Sequence, residues 1–312
     1  MGAQIDGIVG TSLFKDFKIT VNYLAKRKRI EPSSERATSC KKCSILPIRF
    51  KNKKPLVNAR VTQDNGEVID GDFLIDSGSS DALWLFDQHK KVVKTSSFFP
   101  DFLGIGINGD VFGDRGKIPS FQLGSFNLEK VKVAYPNSLK TYETLIDSNR
   151  IGSIGGELLR RFKVTFDFPN KQLILKRNSK TFSPFYYNLS GIELQYKGEN
   201  LIKEKISFVA DDRNKSQEER QNNGVKIFFT EVYRLRFQPI IEISNLRKGS
   251  PAALAGLKVG DIIVSINGKK VGDIKLQHMV HLFQRKPGTK IKLAVKRNEE
   301  KLIYRFVLKS LL

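Results

Sequence analysis

The sequence predicts a mainly β protein, in which a barrel-like β body is followed by a small α+β domain. From residue 45 to residue 133, short strand-like stretches are separated by glycine, asparagine, aspartate and proline, a pattern typical of all-β bodies. After residue 224 the pattern changes to four strand candidates and one helix candidate, Lys275 to Gln284, whose apolar residues share one face. A length of 312 residues agrees with two units, at roughly 150 residues per domain.

An internal repeat predicts two related units in the first part of the chain. Residues 7–23 align without gaps on residues 152–168, at an offset of 145. Each copy reads as a glycine-punctuated apolar loop, a short helix and an alternating strand. Because repeats mark repeated structural units, we expect residues 1–32 to be the C-terminal remnant of a first lobe and residues 45–185 to form a second lobe.

The composition limits the classes of partner. The longest apolar runs fall far short of the ~18 residues that a membrane-spanning helix needs, so no membrane span is predicted. The formal net charge is +22, but the charges are scattered, and the densest run covers only residues 26–29. Because no nucleic-acid-binding motif and no interleaved aromatic pattern accompanies them, the charges indicate a solvated basic surface rather than a nucleic-acid site.

The two cysteines, Cys40 and Cys43, are too few for a disulfide framework. Their spacing is that of half a zinc site or of a redox pair, which remain the alternatives. A structural zinc ion needs four ligands, and the three histidines lie far away in sequence. We therefore expect loop cysteines of no special role, and we predict neither a metal nor another cofactor.

The first residues carry no predicted leader. Residues 1–10 lack both the basic head and the apolar core of a signal peptide. Either the protein is cytoplasmic or its native start lies upstream of Met1.

An ionisable residue follows an apolar strand directly at Asp76, in the run Phe-Leu-Ile-Asp-Ser-Gly-Ser-Ser. Alone, such a triplet is typical of an ordinary turn. Here Ala-Leu-Trp-Leu follows it, and a second apolar-glycine element, Ile154-Gly155, lies downstream. On these motifs the chain resembles the aspartic proteases, with residues 45–185 as one acid-protease-like β-barrel lobe.

The resemblance implies a catalytic role for Asp76 and a supporting role for its neighbours. Two carboxylates held close together cannot both ionise, so one keeps a proton while the other activates a water molecule that attacks the peptide bond. Gly78 would allow close approach of the backbone, and the hydroxyls of Ser77 and Ser79 would hold the carboxylate. A plain turn is the alternative for these three residues.

The resemblance also implies residues that contact substrate. The glycine-rich stretch 104–116 would form a flap that closes over the substrate, with Gly109 and Phe112 facing it. Many pepsin-like flaps carry a tyrosine, and Phe112 is the nearest aromatic residue here. Ile154 and Gly155 would form the psi-shaped loop of the family beside the catalytic turn.

One Asp-Ser-Gly in the whole sequence supplies only half of a dyad. In the family, the second aspartate comes from the other lobe or from a second copy of the chain. The resemblance therefore implies that the missing first lobe or a homodimer completes the site.

The C-terminal part carries an ordered series of motifs, which are Ser250-Pro-Ala, Ala255-Gly-Leu, Gly260-Asp-Ile-Ile and Ile266-Asn-Gly. Over residues 225–312 this series resembles a PDZ domain of the bacterial protease-associated type, preceded by a linker region at 186–224. PDZ domains bind extended peptides as an added strand beside a helix. The resemblance assigns the peptide site to a strand and to the helix that follows it: Ile240, Ile241, Ile243, His278 and Leu282.

Together, these resemblances imply an aspartic endopeptidase that hydrolyses polypeptides, with a PDZ domain that binds substrate or regulatory peptides. The family resemblance points to an extracytoplasmic or periplasmic protein. The competing interpretation is a non-catalytic scaffold that acts by peptide binding through the PDZ domain.

Overall fold

In the computed structural model, the described residues are 11–32, 40–106, 109–137, 149–210 and 228–312. The prediction of a mainly β protein is confirmed. Residues 1–10 of the predicted first-lobe remnant and residues 211–224 of the predicted linker lie outside the described residues. None of the described helices is long and apolar enough to span a membrane.

The first sheet has five strands in the order β2-β1-β12-β13-β3. A short helix precedes β1, and the sheet includes both the first strand of the lobe, β3, and its last two, β12 and β13. Its elements are α1 (Thr11–Asp16), β1 (Phe17–Asn22), β2 (Arg27–Pro32), β3 (Cys43–Pro47), β12 (Phe162–Asp167) and β13 (Gln172–Arg177).

The two copies of the repeat pair with each other in this sheet. Strands β1 and β12 are antiparallel, and Thr20 lies opposite Thr165, its own counterpart at the offset of 145, with the two hydroxyl oxygens 2.8 Å apart. The repeat therefore lies about a local two-fold axis at these threonines. Phe14 of α1 packs edge-on against Phe166, at a centroid distance of 5.8 Å.

The second sheet has eight strands in the order β4-β5-β6-β11-β7-β10-β9-β8, and an additional pairing of β5 with β9 closes most of it into a barrel. Alternating apolar residues fill its interior, including Phe73, Phe121 and Ile154, all fully buried. Its elements are β4 (Arg49–Lys51), β5 (Lys54–Thr62), β6 (Val68–Asp76), β7 (Leu83–Leu85), β8 (Phe98–Gly106), β9 (Gly109–Leu123), β10 (Phe126–Pro136), β11 (Arg150–Gly155) and the short helix α2 (Gly156–Leu159).

The C-terminal unit has a third sheet, ordered β14-β15-β16-β18-β19, with β17 paired to β16. A separate apolar core lies beneath it, formed in part by Ile243, Met279 and Phe283. Its elements are β14 (Ile192–Ala210), β15 (Phe228–Leu246), α3 (Pro251–Leu254), β16 (Ile262–Ile266), β17 (Lys269–Lys270), a 3-10 helix (Val271–Asp273), α4 (Leu276–Phe283), β18 (Lys290–Arg297) and β19 (Glu300–Val307).

One expectation differs from this architecture. Residues 192–210 were expected in a linker, but they form β14, and Ile192 and Leu194 are buried in the C-terminal core. Strand β14 pairs with β15 along its length, which includes residues 234–238 of β15.

Cys40 and Cys43 form a disulfide, with their Cα atoms 5.6 Å apart. The expectation of two cysteines of no special role is therefore wrong. Within the described parts of the chain, no group of three or more histidine, cysteine, aspartate or glutamate residues is arranged to hold a metal ion.

Candidate functional site

Asp76 ends β6 at the point where three neighbouring strands converge. Strand β6 runs parallel to β11, with Ile75 beside Ile154 and Asp76 beside Gly155. Strand β11 is antiparallel to β7 on its other side. The fold thus brings together the Asp-Ser-Gly motif and the downstream apolar-glycine element that the sequence singled out.

Backbone amides hold one oxygen of the Asp76 carboxylate. The N–H groups of Gly78 and Ser79 donate to Oδ1 over 3.1 and 3.2 Å. The hydroxyl of Ser79 accepts a hydrogen bond from the N–H of Asp81 over 3.3 Å, so it stabilises the turn, and Ser77 is exposed.

Two glycines let the end of β11 lie against this turn. A Cβ atom on Gly155 would lie 2.2 Å from the carbonyl oxygen of Asp81. Any residue other than glycine would therefore require the backbone to move. Gly156 donates its N–H to the carbonyl of Ser79 over 2.7 Å. The residues that lock the turn, Asp81 and Gly156, were missed by sequence analysis because neither belongs to the Asp-Ser-Gly motif.

The predicted flap is one half of a β-hairpin formed by β8 and β9. Phe112 is exposed on β9 and packs against Phe102 of β8, with ring centroids 5.4 Å apart. Gly109 is also exposed, and residues 107 and 108 between the strands lie outside the described residues. Sequence analysis found the glycine-rich β9 side and missed β8.

Behind the hairpin lies a chain of four charged side chains, which we call the ionic bridge: Asp81, Arg115, Asp101 and Arg247. Arg115 bonds Asp81 through Nη1 and donates from Nε to Asp101 over 2.8 Å. Arg247 donates from Nη1 to the other oxygen of Asp101 over 3.1 Å. None of the four side chains is more than 11% exposed.

Burial and charge act against each other along this bridge. Burial disfavours the charge of Arg115, but the carboxylates of Asp81 and Asp101 outweigh it and raise the pKa of Arg115. Nearby, burial raises the pKa of Glu193 to about 7, although the charge of Arg115 lowers it. Asn188 donates to Glu193 over 3.2 Å.

The strand predicted to bind peptide is not an edge strand of the third sheet. Residues 240–243 of β15 pair with β14 on one side, and Glu242 of β15 pairs with β16 on the other, so β15 is an interior strand. Ile241 and Ile243 are accordingly buried, and Ile240 is half-buried. In the described part of the chain, the edge strand next to α4 is β14.

The predicted residues of α4 do not line the cavity that this helix borders. His278 is exposed, and Leu282 packs partly into the C-terminal core. Val280 and Gln284 instead line a cavity of about 160 Å³ together with Leu194 of β14. Its opposite wall belongs to the lobe and is formed by the flap strand and the turn after Asp76, including Ser80, Asp81 and residues 101–105.

Comparison with known families assigns this unit. A family model described as a PDZ domain matches residues 242–297. The C-terminal unit contains a PDZ domain. A 50-residue stretch of the chain, 16% of its length, is 46% identical to the carboxy-terminal processing protease CtpA of Bacillus subtilis and covers 11% of that protein.

Two solved structures also resemble the chain, both distantly. The HtrA-type protease AlgW with a decapeptide is 12% identical, with 91% of this chain and 84% of that chain covered and a TM-score of 0.26. The serine endoprotease from Yersinia pestis is 13% identical, with 97% and 99% covered and the same TM-score. None of these relatives is named an aspartic protease, so the aspartic type stays a prediction. Likeness at this level carries no argument about the lobe before the PDZ domain.

Proposed function

We propose that the protein hydrolyses peptide bonds through a water molecule activated by Asp76, with a second carboxylate supplied by another lobe or another copy of the chain. The observation that carries the proposal is the pairing of Asp76 with Gly155 across parallel strands β6 and β11. It presents a carboxylate at the carboxyl end of a buried strand, fixed by two backbone amides. The other carboxylate of such a dyad would keep a proton, and the pair would act as base and acid together.

The decisive variant is Asp76→Asn, which keeps the shape of the side chain and removes the ionisable oxygen. We expect casein cleavage by the complete or dimeric protein to fall at least about a hundredfold, the scale of a lost general base. Asp70→Asn is the matched control, because Asp70 lies on the same strand, is exposed and forms an ion pair with exposed Arg60. A serine-directed sulfonyl fluoride should leave the activity intact. Full activity of Asp76→Asn, or loss of activity with the sulfonyl fluoride, would exclude this mechanism.

Peptide binding by the PDZ domain is the second function that the structure supports, and it stands whether or not the lobe is catalytic. The observation in its favour is the edge strand β14 beside α4, to which an extended peptide can add as a further strand. The polypeptide ligand would lie in the cavity lined by Leu194, Val280 and Gln284.

This function is tested by an NMR titration of the protein with a library of short peptides that end in a free carboxylate. Chemical shifts should move along residues 192–196 and 276–284, with little change at 240–243. If the largest shifts fall at 240–243 instead, the groove lies on the strand that sequence analysis chose. If a folded protein shows no shifts in either region for any peptide, the scaffold function is wrong.

An extracytoplasmic location is part of the proposal. The disulfide between Cys40 and Cys43 favours it, because disulfides persist mainly in oxidising compartments. Detection of the protein, with Cys40 and Cys43 oxidised, in the extracytoplasmic fraction of its native cells would test it.

A further inference from the structure

The ionic bridge connects three parts of the molecule that are far apart in sequence. Asp81 follows the Asp76 turn, Asp101 and Arg115 lie on the two strands of the flap hairpin, and Arg247 belongs to the PDZ domain just after β15. Arg115 also donates from Nη2 to the carbonyl of Phe102 over 3.2 Å, so its guanidinium holds both the side chain and the backbone of the flap.

At its PDZ end the bridge reaches the loop that leads into β14. Arg247 donates from Nη2 to the carbonyl of Asn188 over 2.9 Å. The side chain of Asn188 in turn shapes that loop, because its Oδ1 accepts from the N–H groups of Ser190 and Gly191 over 3.1 and 3.3 Å. The Arg247 guanidinium also lies 5.0 Å from the ring centroid of Phe99, on the flap.

At its other end the bridge reaches the turn that holds Asp76. The Nε1–H of Trp84 donates to Oδ2 of Asp81 over 2.7 Å, and Asp81 also donates its backbone N–H to Ser79. Ser79 donates directly to the Asp76 carboxylate. One side chain and one short turn therefore separate Asp76 from Arg115.

Burial makes the loss of any charged member of the ionic bridge costly. Its members carry two negative and two positive charges, and all are nearly buried. Removing one partner leaves an uncompensated buried charge, which costs far more than an exposed pair contributes. We therefore expect that loss of Arg247 frees Asp101, and with it strand β8 of the flap hairpin, rather than only loosening the strand slightly.

We propose that Arg247 and Arg115 are positioning residues, through which the loop before β14 of the PDZ domain holds the flap hairpin and the Asp76 turn in place. The inference rests on the proposed function for its consequence, since the flap and Asp76 are the parts that would act on substrate. A peptide that enters the cavity between β14, α4 and the flap strand would contact both sides of this linkage.

The test needs no ligand and no activity. Trp84 is the only tryptophan in the chain, and it bonds the bridge directly, so its fluorescence reports on the Asp81 end. In the full chain, Arg247→Met should shift the emission of Trp84 and speed amide exchange of residues 98–106 and 109–116 by about tenfold, as local opening does. The matched control is Arg234→Met, which removes an exposed arginine of β15 that pairs with Glu204 of β14.

A second variant guards against unfolding. Arg247→Lys retains the charge next to Asp101 but loses the two-pronged contact of the guanidinium, so it should give intermediate exchange and emission. Exchange in the lobe core, at residues 68–75, should stay at the level of the unaltered protein in every variant. Unaltered flap exchange and unaltered Trp84 emission in folded Arg247→Met would overturn the inference. Neither readout involves cleavage. The test therefore still decides this inference if the protein proves to have no peptidase activity.

If the protein cleaves casein, the same variants separate positioning from a merely structural role. Arg247→Met should lower kcat with little change in KM, because a displaced flap and turn affect the reacting geometry more than they affect casein binding. Arg247→Lys should recover part of the lost kcat. A change in KM alone would contradict the positioning role.

Discussion

The fold raises the pKa of Glu193, and the consequence for stability can be measured. It lies in the cavity between the lobe and the PDZ domain, where it faces Arg115, Asp101 and Asp81 and accepts a hydrogen bond from Asn188. Burial raises the pKa of its carboxyl from 4.5 to about 7. Between these values the folded protein retains a proton that the unfolded chain releases, so this group makes stability fall as pH rises.

We expect Glu193→Gln to remove this loss of stability at higher pH. The free energy of unfolding of the variant, relative to the unaltered protein, should increase from pH 4.5 to pH 7 by at most roughly 3 kcal/mol and then level off. Urea unfolding at a series of pH values measures it, with Glu129→Gln as an exposed control. A difference that is constant with pH would show that Glu193 ionises normally in the folded state.

Gly155 provides a second residue-level prediction, about the turn itself. A Cβ atom at Gly155 would lie 2.2 Å from a backbone oxygen, whereas a Cβ atom at Gly78 would lie 3.4 Å from the Asp76 carboxylate, an ordinary contact. Gly155→Ala should therefore destabilise the protein by about 1–3 kcal/mol or more, the cost of overpacking, and Gly78→Ala by clearly less. Thermal and urea unfolding would compare them. Equal stability of the two variants would mean that the turn is looser than the structure shows.

The residues of the site were predictable to different degrees for a physical reason. Asp76 and Gly155 lie next to apolar strands, and a strand followed by a polar turn is a local signal that sequence carries. Asp81, Arg115 and Arg247 form a bridge only because the sheet and the PDZ domain bring them together. Charged residues at such separations look like ordinary surface residues in the sequence.

At the level of elements, β14 was the principal miss. Beyond Leu194 it forms one side of a long two-stranded ribbon with β15, and none of the side chains at 195–205 is buried. These residues face no core that would impose alternation on the sequence, so a linker was predicted. Only its first residues, including Ile192 and Leu194, enter the core.

This arrangement predicts where the PDZ domain begins. A fragment of residues 186–312 should fold, whereas residues 225–312 should not, because the shorter fragment lacks four buried core residues: Tyr187, Leu189, Ile192 and Leu194. Losing that many buried apolar side chains removes several kcal/mol, comparable with the whole stability of a small domain. Circular dichroism and NMR dispersion would compare the two fragments. A cooperatively folded 225–312 fragment would mean that β14 is only an accessory strand.

At the scale of the whole molecule, the repeat and the mainly β class were predictable because both depend on periodic patterns. The placement of the PDZ domain was not. Its contact with the lobe includes Tyr187, whose hydroxyl donates to the carbonyl of Gly116, Arg247 at the ionic bridge, and Phe99 of β8, which packs against the C-terminal core. Contacts of this kind have no periodicity, so the sequence indicated two separate units and nothing of the cavity between them.

The local two-fold axis at Thr20 and Thr165 gives the last prediction. Residues 45–155 precede α2 and β12, and a lobe related to them by this axis would precede α1 and β1 in the same way. Its own aspartate turn would then face Asp76, which is the geometry that a dyad of carboxylates requires. A second copy of the chain could supply that turn instead.

We therefore expect the 312-residue chain to be inactive as a monomer and to gain Asp76-dependent activity when it is extended upstream or joined as a dimer. Light scattering would establish the oligomeric state of each sample, and casein cleavage would measure its activity. Dimers that pair one unaltered chain with one Asp76→Asn chain should lose most activity, because a homodimeric dyad needs both aspartates. Asp76-dependent cleavage by a verified monomer would mean that the second carboxylate lies within these 312 residues, and the two-lobe interpretation would then be wrong.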